Sequence, residues 1–381
     1  MSTQRWEIFC SVIDNFGDIG VCWRLARQLV HEHGLQVRLW VNDLASFRRM
    51  APIDAAREMQ WLDGVEVRHW GQPFPALTAD EIGDVVIEAF GCPLPDSYEQ
   101  AMAQRQPQPF WINLEHLSAE GWVEGCHTLT SPHPRLPLTK HFFFPGFTPA
   151  TGGLLREQGL LDQVRAFQAD APSRAAFWRQ LGATDGPPGE LRVSLFAYGS
   201  RDLAGLLHTW RDGDFPVLCL VPEGQLARQA GALLGRPELK AGEVVAGNLR
   251  LQVFPFLDQA GYDRLLWSCD INFVRGEDSF VRAQWAMRPM VWQPYRQEEQ
   301  HHDLKLGAFL DRYCSTLPSA AAHAVEQLWQ AWNREEGVAE AWGPFLAQRQ
   351  TLARHAMGWA KELASRPDLT TNLVHFAQKP L

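Results

Sequence analysis

The chain lacks several features, and each absence narrows what it can be. Its seven cysteines (Cys10, Cys22, Cys92, Cys126, Cys219, Cys269, Cys314) are scattered, odd in number and form no C-x-x-C pair. That distribution fits a reducing compartment better than a disulfide framework. No segment approaches the length of a membrane span, and Arg5 and Glu7 stand where a signal peptide needs its apolar centre. A soluble cytoplasmic protein with no membrane partner is therefore expected. There is no basic excess either: the formal net charge is −9 and the pI about 5.8. A general nucleic-acid binder would carry a basic face, so that class is excluded, although a local pocket for one phosphate group is not.

What is present is a globular composition, with 46% apolar and 21% charged residues over 381 positions. That length exceeds one ordinary core and implies two domains. Sixteen tryptophans are read as core and interdomain anchors. Apolar strand-like runs at 35–41, 65–70, 84–91 and 109–117 alternate with helical stretches such as 17–33 and 94–105. A linker with three glycines and two prolines, 182–190, separates them from a second series. There, strands at 191–200, 215–224, 249–257, 270–274 and 289–295 again alternate with helices. This order predicts α/β architecture: two doubly wound, mainly parallel sheets, with ligands at the carboxyl ends of the strands in a cleft between facing domains. The domains are placed at 1–184 and 185–360, with a C-terminal helix at 361–381 packing back on the first. Residues 154–181 and 337–365 read as helical, and 127–149, rich in proline and aromatics, reads as loop. Its His127, His133 and His141 match no standard zinc spacing, so no metal is expected.

Four stretches could carry chemistry. The first is Asp14-Asn15-Phe16-Gly17-Asp18-Ile19-Gly20, where an apolar run enters a loop and a helix leaves it. It has neither the lysine and spacing of a Walker A loop nor the G-x-G-x-x-G of a dinucleotide fingerprint. Asp14 and Asp18 could face one substrate across the turn, one of them as a base, or could simply cap a helix. The second is Arg275-Gly276-Glu277-Asp278-Ser279, between a strand and a helix. A strand, a glycine turn and a serine at a helix start make an anion site, and Arg275 adds a forked donor for diphosphate oxygens. Glu277 and Asp278 would repel phosphate and suit sugar hydroxyls or a cation; the alternative is a helix cap favoured by the dipole. The third is Phe196-x-Tyr198, with Phe254, Phe256 and Tyr262, which could sandwich a base or serve as core. The fourth, Gln300-His301-His302-Asp303, reads as a solvated helix start.

Taken together, D-N-F-G-D-I-G after a first strand, F-x-Y at the start of the second domain and R-G-E-D-S before a helix resemble one family over essentially the full length. This is the family of protein-arginine rhamnosyltransferases of bacterial elongation factor P, EarP. The resemblance implies a GT-B glycosyltransferase fold, two Rossmann-like domains facing across a cleft. It implies transfer of L-rhamnose from TDP-β-L-rhamnose to an arginine guanidinium of elongation factor P, with inversion and without a metal or other cofactor. The modified factor relieves ribosomes stalled at polyproline. By the same resemblance Asp14, Asp18 and Glu277 are the catalytic carboxylates. Asn15, Phe16, Gly17 and Gly20 complete the acceptor-side loop in the first domain. Phe196, Tyr198, Phe256, Gln259, Tyr262, Arg275, Asp278 and Ser279 surround the donor in the second. Tyr262 stands where the family has phenylalanine. The alternatives are another nucleotide-sugar transferase or epimerase of this fold, or a nucleotide-sugar-binding protein without catalysis.

Overall fold

A computed structural model describes residues 4–13, 16–184, 186–295 and 301–378 of the chain. It divides into two units, Met1–Gln158 with Ala364–Leu381, and Gly159–Leu363.

The first unit is built on an eight-stranded sheet. Its strands are β1 (Arg5–Cys10), β2 (Gln36–Val41), β3 (Met59–Leu62), β4 (Val65–His69), β5 (Val85–Ala89), β6 (Phe110–Leu114), β7 (Thr130–Pro132) and β8 (Thr139–Phe143). They lie in the order β3-β4-β2-β1-β5-β6-β8-β7. The six inner strands are parallel, and β3 and β7 pair antiparallel at the two edges. The chain direction across the sheet reverses between β1 and β5, which is the switch point of a doubly wound fold. β1 and β5 are buried almost throughout, as central strands covered on both faces must be. β1 stops at Cys10, so the end of the apolar run leaves the sheet, and Ile13 is 74% exposed.

One charged cluster sits inside this sheet. Fully buried Glu7 on β1 accepts from Arg38 Nη1 at 3.2 Å and from Trp40 Nε1 at 2.8 Å. Arg38 Nε lies 3.2 Å from Glu66 Oε2 on β4, so the pairing ties β1, β2 and β4 together. The helix Gly17–His33 follows β1 and ends at Gly34, whose φ of 64° places it in the left-handed region and lets its N–H bond Val30 O at 3.1 Å. The helix Leu369–Ala377 belongs to the same unit. Thr370 Oγ1 donates to Gln28 Oε1 at 2.8 Å, and Gln28 Nε2 donates to the capping Asp368 at 3.0 Å.

The second unit holds a six-stranded sheet: β9 (Leu191–Leu195), β10 (Val217–Pro222), β11 (Gly242–Ala246), β12 (Leu249–Phe254), β13 (Ile271–Arg275) and β14 (Met290–Gln293). The order is β11-β12-β10-β9-β13-β14, parallel except for the edge strand β11. Its switch point lies between β9 and β13.

The structure departs from the sequence reading in several places. Residues 127–149 are not all loop: β7 and β8 lie within them, and β8 extends the parallel sheet beside β6. Lys140 and half-exposed positions interrupt its apolar alternation, which hid it. The edge strands β3 and β11, half exposed, were hidden likewise. Residues 154–181 form two helices, Leu160–Ala169 and Ala171–Gln180, separated by Asp170, whose side chain caps the second by accepting from Ser173 N at 3.2 Å. Residues 337–365 likewise split at Gln348 into Val338–Ala347 and Arg349–Ala364. The unit division falls at Gln158, ahead of the expected 184/185 boundary. The cause is packing: Phe177, Trp178 and Leu181 share a core with Leu218, Leu220 and Phe254 of the second sheet and Leu265 of the helix Gln259–Ser268. Of the linker 182–190, Asp185 lies outside the described residues. Among the described residues, no helix is long and apolar enough to cross a membrane.

Replacing Arg38 removes the nearer ion-pair partner of buried Glu7 and leaves it Arg5, whose Nε lies 3.9 Å away. Arg38→Met is expected to cost about 3–5 kcal/mol in denaturant unfolding. A loss below about 1 kcal/mol would show that the cluster is not what holds β1 to β2.

Candidate functional site

The second unit gathers its candidate residues at one place, the carboxyl ends of β9 and β13. Phe196 and Tyr198 follow β9, and Arg275 ends β13. The Arg275 guanidinium carbon lies 4.4 Å from the centroid of each ring, so the cation is held between two aromatic faces. Its Nη1 donates to Ala197 O at 3.1 Å, fixing the fork in azimuth as well as in plane. The aromatic cluster extends on both sides: Tyr262 lies 5.4 Å from Phe196 with its plane tilted by 60°, and Tyr295 lies 5.6 Å from Tyr198, edge-on at 77°.

Gly276 turns the chain with a φ of 59°, a conformation that suits glycine, and the helix Asp278–Trp285 begins. Glu277 occupies the cap position, yet its side chain makes no capping hydrogen bond to this helix. The cap alternative is therefore not what the carboxylate does. The Ser279 hydroxyl accepts from Arg275 N at 3.0 Å and donates to Arg275 O. That hydroxyl clasps the turn, so an anion here would meet backbone N–H groups before it met the serine side chain.

Gln259 is buried at the start of the helix Gln259–Ser268, capped by Asp258, which accepts from Gly261 N at 2.7 Å. Phe256 precedes it, half-buried, past the end of β12. A buried bidentate ion pair joins this helix to the one that carries Asp278 and Ser279: Arg282 Nε and Nη2 donate to Asp263 at 3.0 and 2.7 Å. Burial pushes the Tyr262 phenol well above its ordinary pKa, so it stays neutral beside the arginine. Two contributors were missed by sequence reasoning. Gln293, buried on β14, accepts from Tyr198 N at 2.9 Å and donates to Gly199 O at 3.3 Å, tying the loop after β9 to β14. Tyr295 was legible in principle, since it is an aromatic just past a strand end, as Phe196 and Tyr198 are.

In the first unit the loop after β1 sits at the switch point beside β5. Asp14 and Asn15 lie outside the described residues. Asp18 is in the first turn of the helix Gly17–His33 and is buried. Phe16, not an aspartate, holds the cap position, and no side chain caps the helix. Asp18 instead reaches back, its Oδ2 accepting from Ile13 N at 2.8 Å. The loop is pinned from β2 as well, because Val12 N donates to Asn42 Oδ1 at 2.7 Å and Asn42 Nδ2 donates to Ser11 Oγ at 3.1 Å. Phe16 carries the Arg49 guanidinium over its ring at 5.3 Å. Gly17 opens the helix, and Gly20 N bonds Phe16 O at 2.9 Å.

The three histidines of 127–149 are each engaged locally. His127 Nδ1 accepts from Phe144 N at 3.1 Å, His133 Nδ1 accepts from Leu136 N at 2.9 Å, and His141 Nδ1 lies 3.2 Å from Trp111 O. Among the described residues, no group of three or more His, Cys, Asp or Glu is arranged to hold a metal ion. Gln300 lies outside the described residues; the helix His301–Cys314 begins directly after it.

Comparison with known proteins identifies the family of the chain as a whole. The family described as Elongation-Factor P (EF-P) rhamnosyltransferase EarP matches residues 6–378. The protein-arginine rhamnosyltransferase of Pseudomonas aeruginosa is 50% identical over 373 residues, 97% of this chain and 98% of that protein. A solved structure described as the structural basis for EarP-mediated arginine glycosylation of translation elongation factor EF-P is 39% identical, covers 100% of both chains and superposes with a TM-score of 0.72. Acinetobacter baumannii MurG, a glycosyltransferase of GT-B fold, is similar in fold alone, at 13% identity, full coverage of both chains and a TM-score of 0.50. The GT-B expectation therefore holds.

The geometry makes Arg275 the principal cation of the second site. Arg275→Ala is expected to weaken TDP binding in calorimetry about 10- to 100-fold. Unchanged affinity would contradict a diphosphate at this position.

Proposed function

The chain belongs to the EarP family of elongation factor P rhamnosyltransferases, and from that premise we propose that it moves L-rhamnose from TDP-β-L-rhamnose to an arginine guanidinium of elongation factor P, with inversion. One observation supports this reading above the others. Each sheet carries its candidate groups at its own switch point: a buried carboxylate in the first unit, and an aromatic-clamped arginine with Glu277 in the second. A carboxylate suits a cationic acceptor, and an arginine suits a diphosphate leaving group.

The chemistry follows from the acceptor. A guanidinium has a pKa above about 12, and its nitrogen lone pairs are delocalised, so it is a poor nucleophile. In the proposed step one of its nitrogens attacks C1 of rhamnose from the face opposite the diphosphate. The C–N bond forms as the C1–O bond breaks, and the electron pair leaves on TDP. The nitrogen must lose a proton, and Asp18 is assigned to take it. Its hydrogen bond to the Ile13 N–H fixes where the carboxylate points. Asp14, by the family resemblance, pairs with the guanidinium, and Glu277 contacts the sugar or the guanidinium. Arg275 and the N–H groups at the start of the helix Asp278–Trp285 meet the charge that develops on the leaving diphosphate. In this reading they do so without a metal. Phe256, Gln259 and Tyr262 complete the donor site. The setting is the cytoplasm, where elongation factors work.

Incubating elongation factor P with this protein and TDP-rhamnose is expected to add one deoxyhexose, mapped to an arginine by mass spectrometry. Asp18→Asn is expected to slow transfer about 100- to 10,000-fold while TDP-rhamnose still binds. No mass gain with the unaltered protein would defeat the function, and near-normal transfer by Asp18→Asn would defeat the base assignment.

A further inference from the structure

At the carboxyl end of β5, on the other side of the first unit's switch point, Phe90 has a φ of 58° and Gly91 a φ of 67°. Two successive residues thus lie in the left-handed region, where glycine is at ease and a bulky aromatic is not. Phe90 is held there by its N–H, which donates to Leu114 O at 2.7 Å, and by Gly91 N, which donates to Asn113 Oδ1 at 3.1 Å. Asn113 is fixed in turn, its Nδ2 donating to Glu115 Oε1 at 2.6 Å. The ring is only half-buried. It stacks on His116, with centroids 4.6 Å apart and planes 13° from parallel.

Phe90 is held on a strained backbone at the sheet's carboxyl edge, the kind of position where strain accompanies a functional contact. In the register that pairs Phe9 with Glu88, Phe90 falls opposite Ser11, where the loop to Asp18 starts. Glu115 precedes His116 in the chain, its Oε1 accepting from Asn113. Two parallel π-faces with a carboxylate on the neighbouring residue suit a flat cation, which can lie on a ring while its N–H edge meets a carboxylate.

We infer that the Phe90–His116 stack, with Glu115, is a binding platform for the acceptor's arginine, orienting its guanidinium plane toward Asp18. The inference rests on the proposed rhamnosyl transfer to arginine and adds a binding element to it. Phe90 and His116 are positioning residues here and take no proton.

Steady-state kinetics on the full chain, with elongation factor P and TDP-rhamnose, test it. Phe90→Gly removes the ring and relieves the backbone, so the thermal midpoint is expected to stay level or rise. The KM for elongation factor P should rise roughly 2- to 30-fold, with TDP affinity unchanged within about twofold. Phe90→Tyr should keep the KM of the unaltered protein, and His116→Gln should raise it in the same direction as Phe90→Gly. A lowered midpoint with an unchanged KM in Phe90→Gly would make Phe90 a packing residue and overturn the inference. So would an unchanged acceptor KM in His116→Gln, or a KM increase matched by lost TDP affinity. If the unaltered protein transfers no rhamnose, the proposed function itself fails, and that is seen before any variant is compared.

Discussion

A parallel sheet covered on both faces leaves its strands little room for chemistry along their length. Side chains on β1, β5, β9 and β13 meet mostly apolar neighbours there. Polar function is driven to the carboxyl ends, and most strongly to the switch point, where adjacent loops diverge and leave a crevice. Both units obey this constraint. The first places Asp18 and Phe90 beside its switch point, and the second places Phe196, Tyr198, Arg275 and Glu277 beside its own. Two of the charged groups that remain inside are paired: Glu7 with Arg38 and Trp40, and Asp263 with Arg282.

In the proposed transfer the two sites meet different electrostatic problems. A diphosphate needs fixed positive charge, and an arginine side chain is long and mobile. Holding its guanidinium between Phe196 and Tyr198 removes most of that freedom, and each aromatic face contributes about 0.5–2 kcal/mol. Gln293 then joins the loop that carries Tyr198 to β14, so the clamp is tied to the sheet and not to loops alone. The acceptor side needs negative charge that points in one direction. Asp18 obtains that direction from the loop it closes on, through the Ile13 N–H, and the loop obtains it from Asn42, directly after β2.

Much of this was legible in the sequence, and the illegible parts share physical causes. The inner strands show as continuous apolar runs because both of their faces are buried. β3, β7, β8 and β11 escape notice because they are short, lie at or beside the edges and carry exposed polar or charged residues. The helix starts at Asp18 and Ser279 are readable from residue type. What those side chains do is not: Asp18 reaches backward to a loop amide, and the Ser279 hydroxyl closes on Arg275. The clamp depends on strand order, which brings β9 beside β13 across a long stretch of chain. Phe90 leaves no trace at all in the sequence, since a backbone angle has no residue signature when the residue is not glycine.

The central claim is a single direct displacement, with a carboxylate-oriented guanidinium attacking opposite a diphosphate held by Arg275. The anomeric configuration of the rhamnosyl-arginine product, read by NMR, tests it most directly. Starting from the β-linked donor, the account predicts an α-linked product. A β-linked product would require a covalent intermediate or front-side attack, and would contradict it.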